Sequence, residues 1–277
     1  MEINLKSVLA ECGFGFKKKF GQNFITDKNL LSSIVSLAGV ESCDTVLEIG
    51  CGAGTLTRVL ADKAEKVVAF EVDTDLKPVL ERTLSDVKNV EIVFRDFLKA
   101  DLKELERATG EYKVVANLPY YVTTPLITGI LENSEKCKSL TVMVQEEVAE
   151  RFCARENTPE YGAITAVIAL RAKTEIVKRV PRTLFYPRPN VDSAVVKFTI
   201  EDGRITVKDP EFYKKTVHAA FAARRKTLEN NLVNAFKLTR EQAKQALSEC
   251  RIPLNTRGET LSPESFARLS EEIAKIL

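Results

Sequence analysis

The 277-residue sequence predicts an α/β chain: a mostly parallel sheet with helices on both faces and an antiparallel edge, then a small all-helical domain. Three observations carry this. Short apolar runs alternate with helically spaced segments from residue 27 to about residue 200. An early run enters a glycine-rich turn directly. After Glu201-Asp202-Gly203 the strand patterns vanish and helix starts become well marked.

Asp27 to Ala38 has helical apolar spacing, with Thr26 expected as the N-cap and Gly39 beyond the end. Thr45 to Ile49 is a short buried-strand pattern, and Thr55 to Ala64 reads as the helix after the glycines. Val67–Phe70, Val90–Phe94, Tyr112–Ala116 and Leu140–Val144 continue the βαβ rhythm. Thr174–Val180 and Ser193–Ile200 are close enough to pair as an antiparallel edge. Beyond them, Asp209-Pro210 and Ser262-Pro263 each place a capping side chain before a proline at the first helical position. Thr239 with Gln242 makes a capping box. The expected division is residues 1–203 and residues 204–277.

Composition narrows the function. Hydrophobic residues make up 44% and charged residues 29%, as in ordinary globular proteins. No apolar run reaches the roughly 18 residues of a membrane span, and the N-terminus lacks the pattern of a signal peptide, so a cytoplasmic protein without membrane contact is expected. Cys12, Cys43, Cys51, Cys137, Cys153 and Cys250 form no C-x-x-C pair and have no neighbouring histidine, which points to free thiols rather than a metal site. The net charge of +2 does not announce a nucleic-acid partner. Two local clusters could touch phosphate: Lys17-Lys18-Lys19 and Arg224-Arg225-Lys226.

Glu48-Ile-Gly50-Cys-Gly52-Ala-Gly54 follows a strand and opens a helix, where a tight turn can bring backbone close to a ligand. A dinucleotide fingerprint would need glycine or alanine at position 55, which is Thr55. Glu71 ends the next strand and Asp96 the third. One acid suits ribose hydroxyls and the other an exocyclic amine, so the pattern fits a ligand with one ribose and one adenine.

The strand from Tyr112 runs into Asn117-Leu-Pro-Tyr120. The N6 lone pair of adenine is delocalised into its ring and attacks poorly. Acceptors around the amine, here the Asn117 side-chain oxygen and the Leu118 carbonyl, can rehybridise it and stabilise the positive charge that develops on methyl transfer. Pro119 restricts Leu118 and so aims its carbonyl. Tyr120 offers a face for a flipped base. No strong base is needed, and the single histidine, His218, lies in the helical region.

These segments resemble the KsgA/Dim family of rRNA adenine dimethyltransferases over nearly the whole chain. The matching pieces are Phe20-Gly-Gln-Asn-Phe24, Glu48 to Gly54, Glu71, Asp96, Asn117 to Tyr120, Phe185-Tyr-Pro-Arg-Pro-Asn-Val-Asp-Ser193, and Phe221 to Leu232 with its Arg-Arg-Lys-Thr-Leu core. The resemblance implies a Rossmann-like S-adenosylmethionine-dependent methyltransferase fold, with S-adenosylhomocysteine as by-product and no metal. It implies that Asn23, the backbone of Ile25, Gly50, Gly52, Glu71, Asp96 and Asn117 hold the cofactor, and that Phe185 stacks on the target adenine opposite Tyr120. It further implies a monomer acting on 16S-type rRNA of the small ribosomal subunit during ribosome biogenesis, with the helical domain docking on RNA. Arg224, Arg225 and Lys226, read as lying on a helix beside amide side chains, would grip phosphate. Rival readings are an Erm-type enzyme acting on large-subunit RNA, an adenine-N6 DNA methyltransferase, and a non-catalytic RNA-binding protein that kept the fold. The Arg-Arg-Lys-Thr-Leu segment favours the small-subunit family over the first.

Overall fold

A computed structural model describes residues 4–17, 20–120 and 122–277. Of the first basic triplet, Lys18 and Lys19 lie outside the described residues. The chain divides into two compact units, Met1–Ala149 with Glu175–Ile200, and Glu150–Thr174 with Glu201–Leu277.

A sheet ordered β4-β3-β2-β5-β6-β9-β7 is formed by β2 (Thr45–Ile49), β3 (Lys66–Glu71), β4 (Val90–Phe94), β5 (Tyr112–Asn117), β6 (Cys137–Gln145), β7 (Ala172–Val180) and β9 (Ser193–Ile200), and all of it but the first three residues of β7 falls in the first unit. The β2–β3, β3–β4, β2–β5 and β5–β6 pairs are parallel, and β9 runs antiparallel to β6. The expected parallel sheet with an antiparallel edge is therefore present. Val46, Leu47, Val67, Val114, Val115 and Val142 are fully buried, which is why these strands read as continuous apolar runs rather than alternations. Strand order reverses at β2, and such a reversal leaves a crevice beyond the carboxyl ends of the strands.

Around the sheet lie α1 (Leu5–Glu11), α2 (Lys28–Ala38), α3 (Thr55–Ala61), α4 (Lys77–Thr83), α5 (Leu102–Thr109) and α6 (Thr123–Asn133), and α7 (Glu146–Phe152) follows β6 in the chain. Two local expectations need correction. The N-cap of α2 is Asp27, not Thr26: Asp27 is extended and its carboxylate accepts the Leu30 N–H at 2.7 Å. The helix after the glycines stops at Ala61, three residues early, and the Lys63 and Ala64 N–H groups beyond it both donate to the Leu60 carbonyl, at 3.0 and 2.8 Å. A feature too short for periodicity to reveal is the antiparallel pair of β1 (Phe24–Ile25) and β8 (Phe185–Tyr186).

The second unit holds α8 (Ala163–Ile168), α9 (Pro210–Phe221), α10 (Leu228–Phe236), α11 (Arg240–Glu249) and α12 (Pro263–Ile276). The caps are those the sequence signals: Asp209 accepts from Phe212, Ser262 from Ser265, and Thr239 and Gln242 cap reciprocally. Residues 150–174 join this unit, unlike the expected division at 203/204. Burial drives the difference. Tyr161, Ala166 and Leu170 pack with Tyr213, Leu232 and Phe266. The Tyr161 hydroxyl donates to the Leu261 carbonyl at 2.8 Å, and that of Tyr213 to Ala166 at 2.9 Å.

Candidate cofactor and active site

The carboxyl ends of β2, β3, β4 and β5 deliver the Gly50–Gly54 loop, Glu71, Asp96 and Asn117 to one cleft. Its lining includes Asn23, Ile25, Gly50, Gly52, Glu71, Asp96, Asn117, Leu118, Pro119 and Tyr120. Phe185 is not part of it. That side chain is 5% exposed and belongs to the apolar core, held there because Ile25 and Phe185 are paired across β1 and β8.

The loop must approach its neighbours closely. Gly52 has φ 57°, and a Cβ there would lie 2.7 Å from the Phe24 ring. A Cβ on Gly50 would touch Pro119 at 3.4 Å. The glycines thus bring the Phe20–Phe24 and Asn117–Tyr120 segments against the loop, and their bare backbone forms the floor of the cleft.

Glu71 is 6% exposed, and its carboxylate is held from both ends. Oε2 accepts the Gly52 N–H at 2.8 Å, while Oε1 accepts the N–H groups of Val72 and Asp73 at 2.7 and 2.8 Å. Burial raises its pKa against these three bonds, and the Asp73 charge adds to the rise. Asp96 accepts the Leu98 N–H at 3.0 Å, which orients its carboxylate at the rim. Val72 and Leu98, exposed by 41% and 47%, follow the two acids and give the cleft apolar sides. Sequence reading missed both, although a large apolar residue just beyond each acid was the available signal.

At the other end of the cleft, Asn117 Nδ2 donates to the Asn23 carbonyl at 3.0 Å. With the amide nitrogen committed, Oδ1 is the atom left to accept from a ligand. The Tyr120 hydroxyl lies 3.0 Å from Ser193 Oγ, so the Asp-Ser end of the Phe185–Ser193 motif fixes the ring. Burial raises the Tyr120 pKa, with the Ser193 hydroxyl opposing it. Glu48, 1% exposed, also lines the cleft, and its Oε2 has no hydrogen-bond partner. Burial pushes this carboxyl up to about 8, the nearby Thr57 hydroxyl opposing and the Glu71 charge adding to it.

The residues present fit S-adenosylmethionine: a cradle that side chains would fill, two acceptors at successive strand ends, and apolar sides for a flat base. No group of three or more His, Cys, Asp or Glu residues able to hold a metal occurs among the described residues.

The second basic triplet lies elsewhere. Arg224, Arg225 and Lys226 are exposed in the turn between α9 and α10, not on a helix, because Thr227 caps the start of α10. Arg224 donates to the Pro159 carbonyl at 2.8 Å and to that of Tyr161 at 3.3 Å.

The profile of the ribosomal RNA adenine dimethylase family matches residues 13–275. The chain belongs to that family. Ribosomal RNA small subunit methyltransferase A of Bacillus licheniformis is 44% identical, covering 99% of this chain and 97% of its own. The protein of that name from Shouchella clausii is 48% identical over 98% of this chain and 94% of its own. A dimethyladenosine transferase from Plasmodium falciparum shares the fold, with a TM-score of 0.79 and 24% identity over 91% of this chain and 98% of its own. The 23S rRNA methyltransferase ErmE superposes with a TM-score of 0.70 at 28% identity over 91% of this chain and 99% of its own. The chain is thus an S-adenosylmethionine-dependent methyltransferase whose substrate is ribosomal RNA adenine. No described helix is long and apolar enough to cross a membrane.

Proposed function

We propose that this chain converts adenines, two of them adjacent, to N6,N6-dimethyladenine in a hairpin of 16S-type rRNA during small-subunit assembly. It acts as a cytoplasmic monomer, apart from membranes and without a metal. The observation that carries the residue assignment is the single cleft joining Glu71 and Asp96 to Asn117–Tyr120.

In this reading the Glu71 carboxylate accepts from the ribose hydroxyls of S-adenosylmethionine and Asp96 from its adenine amine. Asn23, the Ile25 backbone, Gly50 and Gly52 complete the cofactor wall. When bound, the cofactor supplies an electrophilic methyl group on sulfur. Asn117 Oδ1 and the Leu118 carbonyl accept from the target N6, drawing its lone pair out of the ring and stabilising the cation that forms. Pro119 keeps Leu118 aimed. Tyr120 stacks on the extruded base. Phe185 joins as the opposite wall only if the β1–β8 pair shifts when substrate docks. The cationic amine releases its proton to solvent, so no general base is assigned. Arg225 and Lys226 contact RNA phosphate. Arg224 supports the turn that carries them.

One methyl leaves a proton on N6, so the same acceptors serve a second round. Incubating unmodified small subunits with the chain and S-adenosylmethionine, then digesting the RNA for mass spectrometry, should yield dimethyladenosine. Monomethyladenosine as the sole product, or rapid turnover of a short unstructured oligonucleotide, would overturn the proposal.

A further inference from the structure

Asp73 lies two residues beyond Glu71, is 2% exposed and does not itself line the cleft. Its Oδ1 accepts from Lys17 Nζ at 2.6 Å and its Oδ2 from Gln22 Nε2 at 2.7 Å. Lys17 Nζ also reaches Asp75 Oδ2 at 2.5 Å, and the Lys17 backbone N–H donates to Gln22 Oε1 at 2.8 Å. Lys17 and Gln22 are thereby tied to each other and to the segment after β3. What they carry is wall: Phe20, Gly21, Gln22, Asn23, Phe24 and Ile25 all line the cofactor cleft. Burial alone would raise the Asp73 pKa. The bonds from Lys17 and Gln22 outweigh it and hold the carboxyl below its ordinary range, so Asp73 is ionised and committed to both.

We infer that Asp73, gripping Lys17 and Gln22, is a clasp that fastens residues 20–25 over the cofactor cleft and sets how long the cofactor stays. The inference rests on the assignment of this cleft to S-adenosylmethionine. Lys17 and Asp73 are positioning residues, since neither lines the cleft. A ligand leaves from beneath a wall only when the wall lifts, and lifting breaks two hydrogen bonds to a buried carboxylate. The release rate therefore carries the strength of those bonds. Because one bond is an ion pair with a half-exposed lysine, release also depends on salt.

The test follows release of S-adenosylhomocysteine from the full chain by stopped-flow displacement, at low and high salt. Lys17→Ala should release on the order of tenfold faster than wild type, the scale of one charge-assisted hydrogen bond. It should also lose the salt dependence that wild type shows. Lys17→Arg should restore slow release, which a merely local loss of packing would not predict. Asp73→Asn, which keeps an acceptor for Gln22, should fall between wild type and Lys17→Ala. Lys17→Ala releasing at the wild-type rate, or Lys17→Arg releasing as fast as Lys17→Ala, would overturn the clasp while leaving the cofactor site intact. Wild type failing to bind the ligand at all would instead remove the cofactor assignment, and the clasp with it.

Discussion

The side-chain amide of Asn117 donates to the backbone carbonyl of Asn23 at 3.0 Å, so the end of β5 is aimed by a segment 94 residues earlier. This bond decides which amide atom faces a substrate. Asn117→Ala should lower the methyl-transfer rate by about 100- to 1,000-fold, the usual cost of losing one preorganised polar group. Cofactor affinity should change by much less, since the mutation removes only one tie on the cofactor wall. Single-turnover kinetics beside calorimetry separates the two, and near-normal turnover would end the role assigned to Asn117.

Glu71 offers a sharper test of cofactor binding than truncation does. Glu71→Gln keeps the size of the side chain but replaces one acceptor oxygen with a donor. It should weaken S-adenosylmethionine binding by roughly 1.5–3 kcal/mol, the value of hydrogen bonds to a charged group. Wild-type affinity should rise with pH as Glu71, whose pKa is raised chiefly by burial, loses its proton and becomes the better acceptor. Equal affinities for the variant and wild type would remove Glu71 from the ribose site.

Glu48 should make the ligand-free chain less stable as pH rises. Unfolded, its carboxyl titrates near the ordinary value of 4.5; folded, burial pushes it to about 8. Between these values the unfolded chain has released a proton that the folded chain keeps. Stability then falls through that window and levels off above it, by up to about 1.4 kcal/mol per pH unit for one full proton. Glu48→Gln should shrink the decline, leaving only the part that Glu71, also raised by burial, contributes. Denaturant unfolding from pH 5 to pH 8.5 checks this, and parallel curves for variant and wild type would contradict it.

Gly52→Ala should damage the cofactor loop. A φ of 57° is left-handed, and the new Cβ would meet the Phe24 ring at 2.7 Å. The backbone strain is worth about 1–2 kcal/mol, and Phe24 must also move. Cofactor affinity should fall together with the unfolding midpoint. Preserved affinity would mean that the loop tolerates a side chain facing Phe24.

The basic turn should divide into two roles. Arg224→Ala removes a 2.8 Å bond to the Pro159 carbonyl and should cost about 0.5–1.5 kcal/mol of stability. Replacing Arg225 and Lys226 by alanine should leave stability alone and flatten the salt dependence of RNA binding by about one slope unit per lost phosphate contact. Unchanged slopes in the double variant would mark those two as solvated charges.

The sequence by itself determined the parallel sheet, its antiparallel edge and the caps at Asp209, Thr239 and Ser262, because each is written in local periodicity and in residues three apart. It also placed Gly50, Gly52, Glu71, Asp96 and Asn117 at strand ends, where the topology gathers them into one cleft. The tertiary structure alone decided what depends on distant partners. Residues 150–174 joined the helical unit because Tyr161 and Tyr213 bury their rings and satisfy their hydroxyls across it. Phe185 went into the core because a two-residue strand pairs it with Ile25, a contact with no periodic signature. Arg224 turned to the Pro159 and Tyr161 carbonyls, although its position in a basic triplet suggests phosphate. The Lys17–Asp73–Gln22 clasp joins residues more than fifty positions apart through side-chain atoms, so only folding could bring its charges together.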